Sequence, residues 1–102
     1  MELPLQVTIK DFPNSPALTD LIEKKSIMLD KFGRLTRCAV VVNFVKNHPH
    51  HGKEYCVRIN LTTPGRELAV TRVHNKDVYV ALRDAFDGAK RKLASYWRRR
   101  RT

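Results

Sequence analysis

Cysteine and glycine are sparse in this chain, which holds two and four of them respectively in 102 residues. Cys38 and Cys56 are too few for a disulfide framework or a four-thiolate zinc site. The glycines do not gather into a phosphate-cradling loop, and no serine or cysteine sits in a nucleophile elbow or beside an evident base. No run approaches the ~18–20 apolar residues that a membrane helix needs. The opening MELPLQVTIKDF lacks a charged leader, an apolar segment of signal length and a cleavage site, so a cytoplasmic protein is expected. Acidic residues are scarce too. Ten Asp and Glu face twenty Lys and Arg, a net charge of +10, with a pI near 10.1. Nucleic acid is therefore the first partner to consider, and an acidic membrane surface the second.

What is present suits one domain, 1–102. An apolar content of 42% in a chain of this length supports a single core and is too little for two. PLQVTIK alternates, with Leu5, Val7 and Ile9 on one side, as a half-buried strand does. Ser15 is a good N-cap and Pro16 a good first helical residue for a helix that keeps Leu18, Leu21, Ile22, Leu29 and Phe32 on one face, with Gly33 as its stop. TRCAVVVNFVK and KEYCVRINLTT read as strands joined into a hairpin by the polar NHPHHG, with Cys56, Arg58, Asn60 and Thr62 of the second pointing outward. After the turn PGR, ELAVTRV reads as a fourth strand. From about Lys76, capped by Asn75 or a neighbour, a second helix stacks Tyr79, Leu82, Phe86, Ala89, Leu93 and Trp97. The order is β-α-β-β-β-α. A four-stranded sheet with one apolar face needs cover, and two amphipathic helices give it, so the expected fold is a two-layer α+β sandwich.

Candidate chemistry is thin. His48, His50 and His51 cluster at the hairpin tip and His74 precedes the second helix, but no Cys or acidic residue stands at ligand spacing, so the loop reads as solvated and no metal is expected. With the hairpin turning near residue 50, Cys38 faces a residue near 62 and Cys56 one near 44. An offset of about six residues is ~20 Å at ~3.3 Å each, and a disulfide needs Cα atoms within ~7 Å; both thiols should be free. Asp84 and Asp87 read as rungs of an Arg83–Asp87–Arg91 ladder and not as catalytic carboxylates. No catalytic residue, cofactor or small-molecule substrate is expected.

The charge is the strong signal. From Lys76 onward nine Lys and Arg face three Asp, a net of +6, and the helix end 90–102 finishes KRKLASYWRRRRT. At 100° per residue, Arg83, Lys90, Arg91, Arg98 and Arg101 share one flank of the second helix, with Lys92 and Arg99 on the opposite flank. On the first helix Lys24 and Lys31 share a flank. Lys25 lies within the apolar stripe, where it either snorkels outward or projects between the helices toward a ligand. Cations at a helix C-terminus favour its dipole by less than ~1 kcal/mol, which does not account for seven of them between residues 90 and 101. A polyanion does. Tyr96 and Trp97 read as packing in preference to base-stacking platforms.

HNKDVYVALRDAFDGAKRKL, together with SPALTDLIEKKSIMLDKF, CAVVVNF and HPHHGKEYCVRINLTTPG, resembles the ribosome hibernation-promoting factor and protein Y family, over about Leu5 to Arg98. Asp77-x-Tyr79-x-Ala81-Leu82, Asp87 and Arg91-x-Leu93 are its most specific part, and the His-rich hairpin is similar to that of short, ribosome-associated members. The resemblance implies both helices on one face of the sheet. It also implies binding without catalysis in the cleft of the small ribosomal subunit, on its 16S-type rRNA, where messenger and transfer RNA would sit; translation then stops and idle ribosomes are preserved under stress. Lys25 and Arg91 match family positions, whereas Gly88 stands where many members carry lysine. The second domain by which long members pair ribosomes is not in this sequence, so a monomer that does not itself pair ribosomes is expected. A general double-stranded RNA or nucleic-acid-binding domain is the alternative, because α/β sandwiches with basic helices also bind A-form RNA by shape.

Overall fold

The structure, a computed structural model, describes residues 4–48 and 52–100, without the side chains of 47, 48, 69–71 and 100. Its elements are β1 (Leu5–Lys10), α1 (Pro16–Gly33), β2 (Arg37–His48), β3 (Gly52–Thr63), β4 (Arg66–Asn75) and α2 (Val78–Arg100). The strands lie in the order β1-β2-β3-β4. β1 runs parallel to β2, which requires a crossover that α1 supplies; β2–β3 and β3–β4 are antiparallel. The expected α+β order is the observed one.

Alternation decides what each face of the sheet holds. Cys38, Val40 and Val42 of β2 and Val57, Ile59 and Leu61 of β3 are buried in one cluster with Leu18, Ile22 and Leu29 of α1 and Ala81, Leu82, Ala85, Phe86, Ala89 and Leu93 of α2. Both helices therefore cover the same face. Ala81, Ala85 and Ala89 form a row at i, i+4 whose small side chains let α2 lie close over the strands. In β4 the alternation breaks. Leu68 and Val73 both pack toward the helices although they stand five positions apart, an odd offset that strict alternation would place on opposite faces. The register shift opposite Arg58 and Ile59 absorbs the extra residue, as a β-bulge does.

The helix ends differ from expectation in detail. Ser15 caps α1, its Oγ accepting the Leu18 N–H at 3.2 Å, with Pro16 following. At the other end Gly33 is the last helical residue, and Arg34 takes the left-handed conformation at φ 57°. The Arg34 N–H donates to the Asp30 carbonyl, and the Leu35 N–H to the Asp30 carboxylate at 2.9 Å. Gly33 is needed for space instead: a Cβ there would lie 1.9 Å from Leu93 Cδ2. The Trp97 indole N–H donates to the Gly33 carbonyl, so the ends of the two helices are tied. α2 begins at Val78, two residues later than expected. Asp77 caps it by accepting the Tyr79 N–H at 2.9 Å, while Asn75 accepts the Asp77 N–H at 2.8 Å.

Further details differ from expectation. Phe32 and Tyr79, assigned to the apolar stripes, are 46% and 49% exposed. Cys56 faces outward as assigned, yet is only 8% exposed among the neighbouring side chains of the uncovered face of the sheet. Cys38 pairs with Leu61, and Cys56 with Asn43, one position from the expected register because the β2–β3 ladder shifts between Val45 and His48. Both cysteines are free. They face opposite sides of the sheet. His50 and His51 lie outside the described residues.

Gly33→Ala should destabilise the fold by about 1–3 kcal/mol, the usual cost of overpacking, and Leu93→Ala by about 2–5 kcal/mol. The double variant should cost less than the sum, because truncating Leu93 vacates the space that the new methyl fills. Urea unfolding measures all three; strictly additive losses would show that the two residues do not compete for one space.

Candidate nucleic-acid interface

α2 packs against the core from Ala81 to Trp97, and its exposed side carries the cations. Lys90, Arg91, Lys92, Arg98 and Arg99 are all exposed. Arg83 stands apart: it precedes Lys90 by about two helical turns, ~10 Å, and its guanidinium pairs with Asp84 at 3.2 Å. This exposed pair to the neighbouring residue stands in place of the expected ladder through Asp87, and pairs of this kind stabilise little. Arg101 lies outside the described residues. On α1, Lys24 and Lys31 are exposed and Lys25 is half-buried.

The structure sorts these residues by what they line. Lys25 and Lys90 meet across a groove between the helices, with Met28, Leu29, Phe32, Phe86 and Asp87. The Lys25 side chain thus projects between the helices. Lys90 Nζ lies 5.1 Å from the centre of the Phe32 ring, within cation–π range. Lys92 and Arg99, on the other flank, line a second cleft with Arg66 and Ser95 against the β3–β4 turn. The aromatic residues near the tail are packing elements. Tyr96 is buried, Trp97 is half-buried, and their rings meet edge-on with centroids 5.1 Å apart.

The uncovered face of the sheet carries a basic cluster that sequence reasoning missed. Lys10, Arg58, Arg72 and His74 surround Val41, Asn43, Val45 and Cys56 in a shallow cavity of about 310 Å³. Arg58 was legible as an outward residue, but the bulge in β4 hid the fact that Arg72 and His74 share its face. His74 lies between Cys56 and Glu54, with Nε2 3.9 Å from the thiol and Nδ1 3.7 Å from the carboxylate. Because thiol and carboxylate address opposite ring nitrogens, they cannot close on a single ion with the imidazole. Among the described residues no group of three His, Cys, Asp or Glu side chains is placed to hold a metal. No helix among them is long and apolar enough to cross a membrane.

The family model for sigma 54 modulation proteins and S30EA ribosomal proteins matches residues 5–101. The chain belongs to this family. The S30EA fold is also that of a ribosomal subunit interface protein from Coxiella burnetii, with a TM-score of 0.73 at 21% identity over 90% of this chain and 94% of that one. The N-terminal domain of Thermus thermophilus protein Y gives a TM-score of 0.74 at 21% identity, over 91% and 98% of the two chains. No curated protein matches the chain by sequence.

In this S30EA-family domain the Cys56–His74–Glu54 arrangement has the outline of a nucleophilic triad without its electrostatics. Burial pushes the Cys56 thiol above its ordinary value of 9.0, outweighing the opposing pull of Arg72 and Arg58. Burial raises Cys38 in the same way, with Asp30 adding to it and the Ser26 hydrogen bond opposing it. Neither thiol is activated as a nucleophile at neutral pH.

Both cysteines should therefore alkylate more slowly at pH 8 in the native protein than in urea. Rapid native labelling of Cys56 would mean that His74 holds it as a thiolate. The linked effect on stability has a definite sign. Below the ordinary thiol range both states keep their protons and pH does nothing; as pH rises past 9.0 the unfolded thiols ionise first, so stability should fall. Cys38→Ala should reduce the steepness of that alkaline fall.

Proposed function

We propose that this chain is a non-catalytic, cytoplasmic ribosome-binding domain. It binds the small ribosomal subunit as a monomer, in the cleft where messenger and transfer RNA are decoded, and halts translation by occupying that cleft. The observation that carries the reading is the set of exposed cations on α2 beside Lys25 of α1, in a chain of the S30EA ribosomal protein family. A similar fold is named as a ribosomal subunit interface protein, which agrees with that partner.

The chemistry follows from the side chains. Arginine forks match phosphate oxygens in any sequence, so the grip is on the rRNA backbone and not on particular bases. The residues assigned to it are Lys24, Lys25 and Lys31 with Arg83, Lys90, Arg91, Lys92, Arg98, Arg99 and Arg101. Arg83 is the weakest member, since Asp84 already offsets its charge. Mounting the cations on a packed helix fixes their spacing before binding, which lowers the ordering cost of association.

Arg91→Glu combined with Arg98→Glu should abolish most co-sedimentation with small subunits and leave the fold intact, because both side chains are exposed. Each phosphate contact contributes about 0.7–0.9 to the slope of log K against log salt. The double variant should flatten that slope by about 1.4–1.8. Wild-type affinity and slope in a folded double variant would reject α2 as the contact surface. Equal wild-type affinity for small subunits and for plain duplex RNA would favour the general RNA-binding alternative.

A further inference from the structure

We propose that the groove between α1 and α2 holds one unpaired nucleobase of the bound RNA, stacked on Phe32. This rests on the ribosomal RNA reading and names what the groove takes. Two observations lead to it. Met28 and Phe32 occupy successive turns on the same side of α1 and are 70% and 46% exposed. They also border a groove of about 170 Å³ whose floor includes Leu29 and Phe86 and whose rim holds Lys25 and Lys90. An apolar patch ringed by lysines is poorly matched to an apolar protein partner, which would have to bury those charges. It is well matched to a nucleotide, whose base is a flat apolar face and whose phosphate is an anion.

The geometry supplies each part. Aromatic side chains beside a basic track are the recurrent platform for unpaired bases, and a methionine thioether packs well against a ring. Lys90 covers the Phe32 ring in the free domain, with Nζ 5.1 Å from its centre. Its flexible stem allows the ammonium to move onto the nucleotide phosphate while the base takes over the ring face. Lys25 holds the opposite rim. Asp87, the carboxylate of the groove, is an acceptor for an exocyclic amino group, as acidic residues are for cytosine N4. The groove should therefore favour cytosine or adenine over uracil.

Stacking and phosphate contacts respond differently to salt, and the test uses this. Phe32→Ala should weaken binding to small subunits roughly 5- to 150-fold, the range for loss of one stacked base, with the slope against log salt unchanged because no counterion contact is lost. Phe32→Tyr should bind like wild type, and Phe32→Leu should not. In Phe32→Trp, emission should be quenched by a short oligocytidine beyond the change that Trp97 alone gives in the wild-type chain. Wild-type affinity in Phe32→Ala, or full rescue by leucine, would overturn the stacking proposal. Comparison with Arg91→Glu/Arg98→Glu separates the two readings: if that variant loses binding and Phe32→Ala does not, the RNA surface stands and only the base site falls. If neither loses binding, α2 is not the contact surface and the base site falls with it; the ribosomal reading itself fails only if the wild-type chain does not bind small subunits in preference to plain duplex RNA.

Discussion

The close approach of Leu93 to Gly33 is the constraint on which the rest of the molecule depends. A helix laid across a sheet can slide and rotate unless something fixes it. Here the missing side chain at Gly33 opens a space that Leu93 fills, and the Trp97 indole N–H then reaches the Gly33 carbonyl. That carbonyl belongs to the last turn of α1, where acceptors have no helical partner of their own. One contact thus seats a leucine, satisfies a helix end and sets the separation of the two helices. The groove between Lys25 and Lys90 inherits its width from that separation.

The second constraint is the parity change in β4. Without it, Val73 and Leu68 could not both pack toward the helices, and Arg72 and His74 would point into the core. A buried unpaired arginine is costly, so the bulge serves packing and solvation together. It also gathers Arg58, Arg72 and Lys10 on the uncovered face. The placing of charge on that side is a by-product of how the strand keeps its apolar residues inside.

Much of this was legible in the residues. The strand alternation, the Ser15-Pro16 start and the β-α-β-β-β-α order depend on local preferences and on period, and these determine element type and sequence. The free thiols followed from hairpin geometry even with the register one position off. What was not legible depends on contacts distant in sequence. Periodicity assigns Phe32 to the apolar side of α1 but cannot say how wide a stripe the neighbours cover; α2 and β1 cover Leu18, Ile22 and Leu29 and leave Met28 and Phe32 in the open. Gly33 looked like a stop because glycine so often ends helices, whereas its value here lies 60 residues away at Leu93. The opposing flanks of α2 were visible in the helical projection. Their counterparts, Arg66 near Lys92 and Arg99, and Lys10 near Arg58 and Arg72, depend on which strands become neighbours.

The distribution of charge bears on the shape of the partner. A protein that lies along a straight duplex needs cations on one face, and charge elsewhere only adds self-repulsion. In this domain cations line the groove between the helices, the cleft beside the β3–β4 turn and the uncovered face of the sheet, three surfaces pointing in different directions. Under the proposed rRNA-binding function, a cleft walled by folded RNA would meet all three surfaces at once, whereas an isolated duplex would meet one. A backbone-directed grip would then still select its site: phosphates on one wall hold any basic helix, but phosphates placed to meet three faces of one small domain occur in few places.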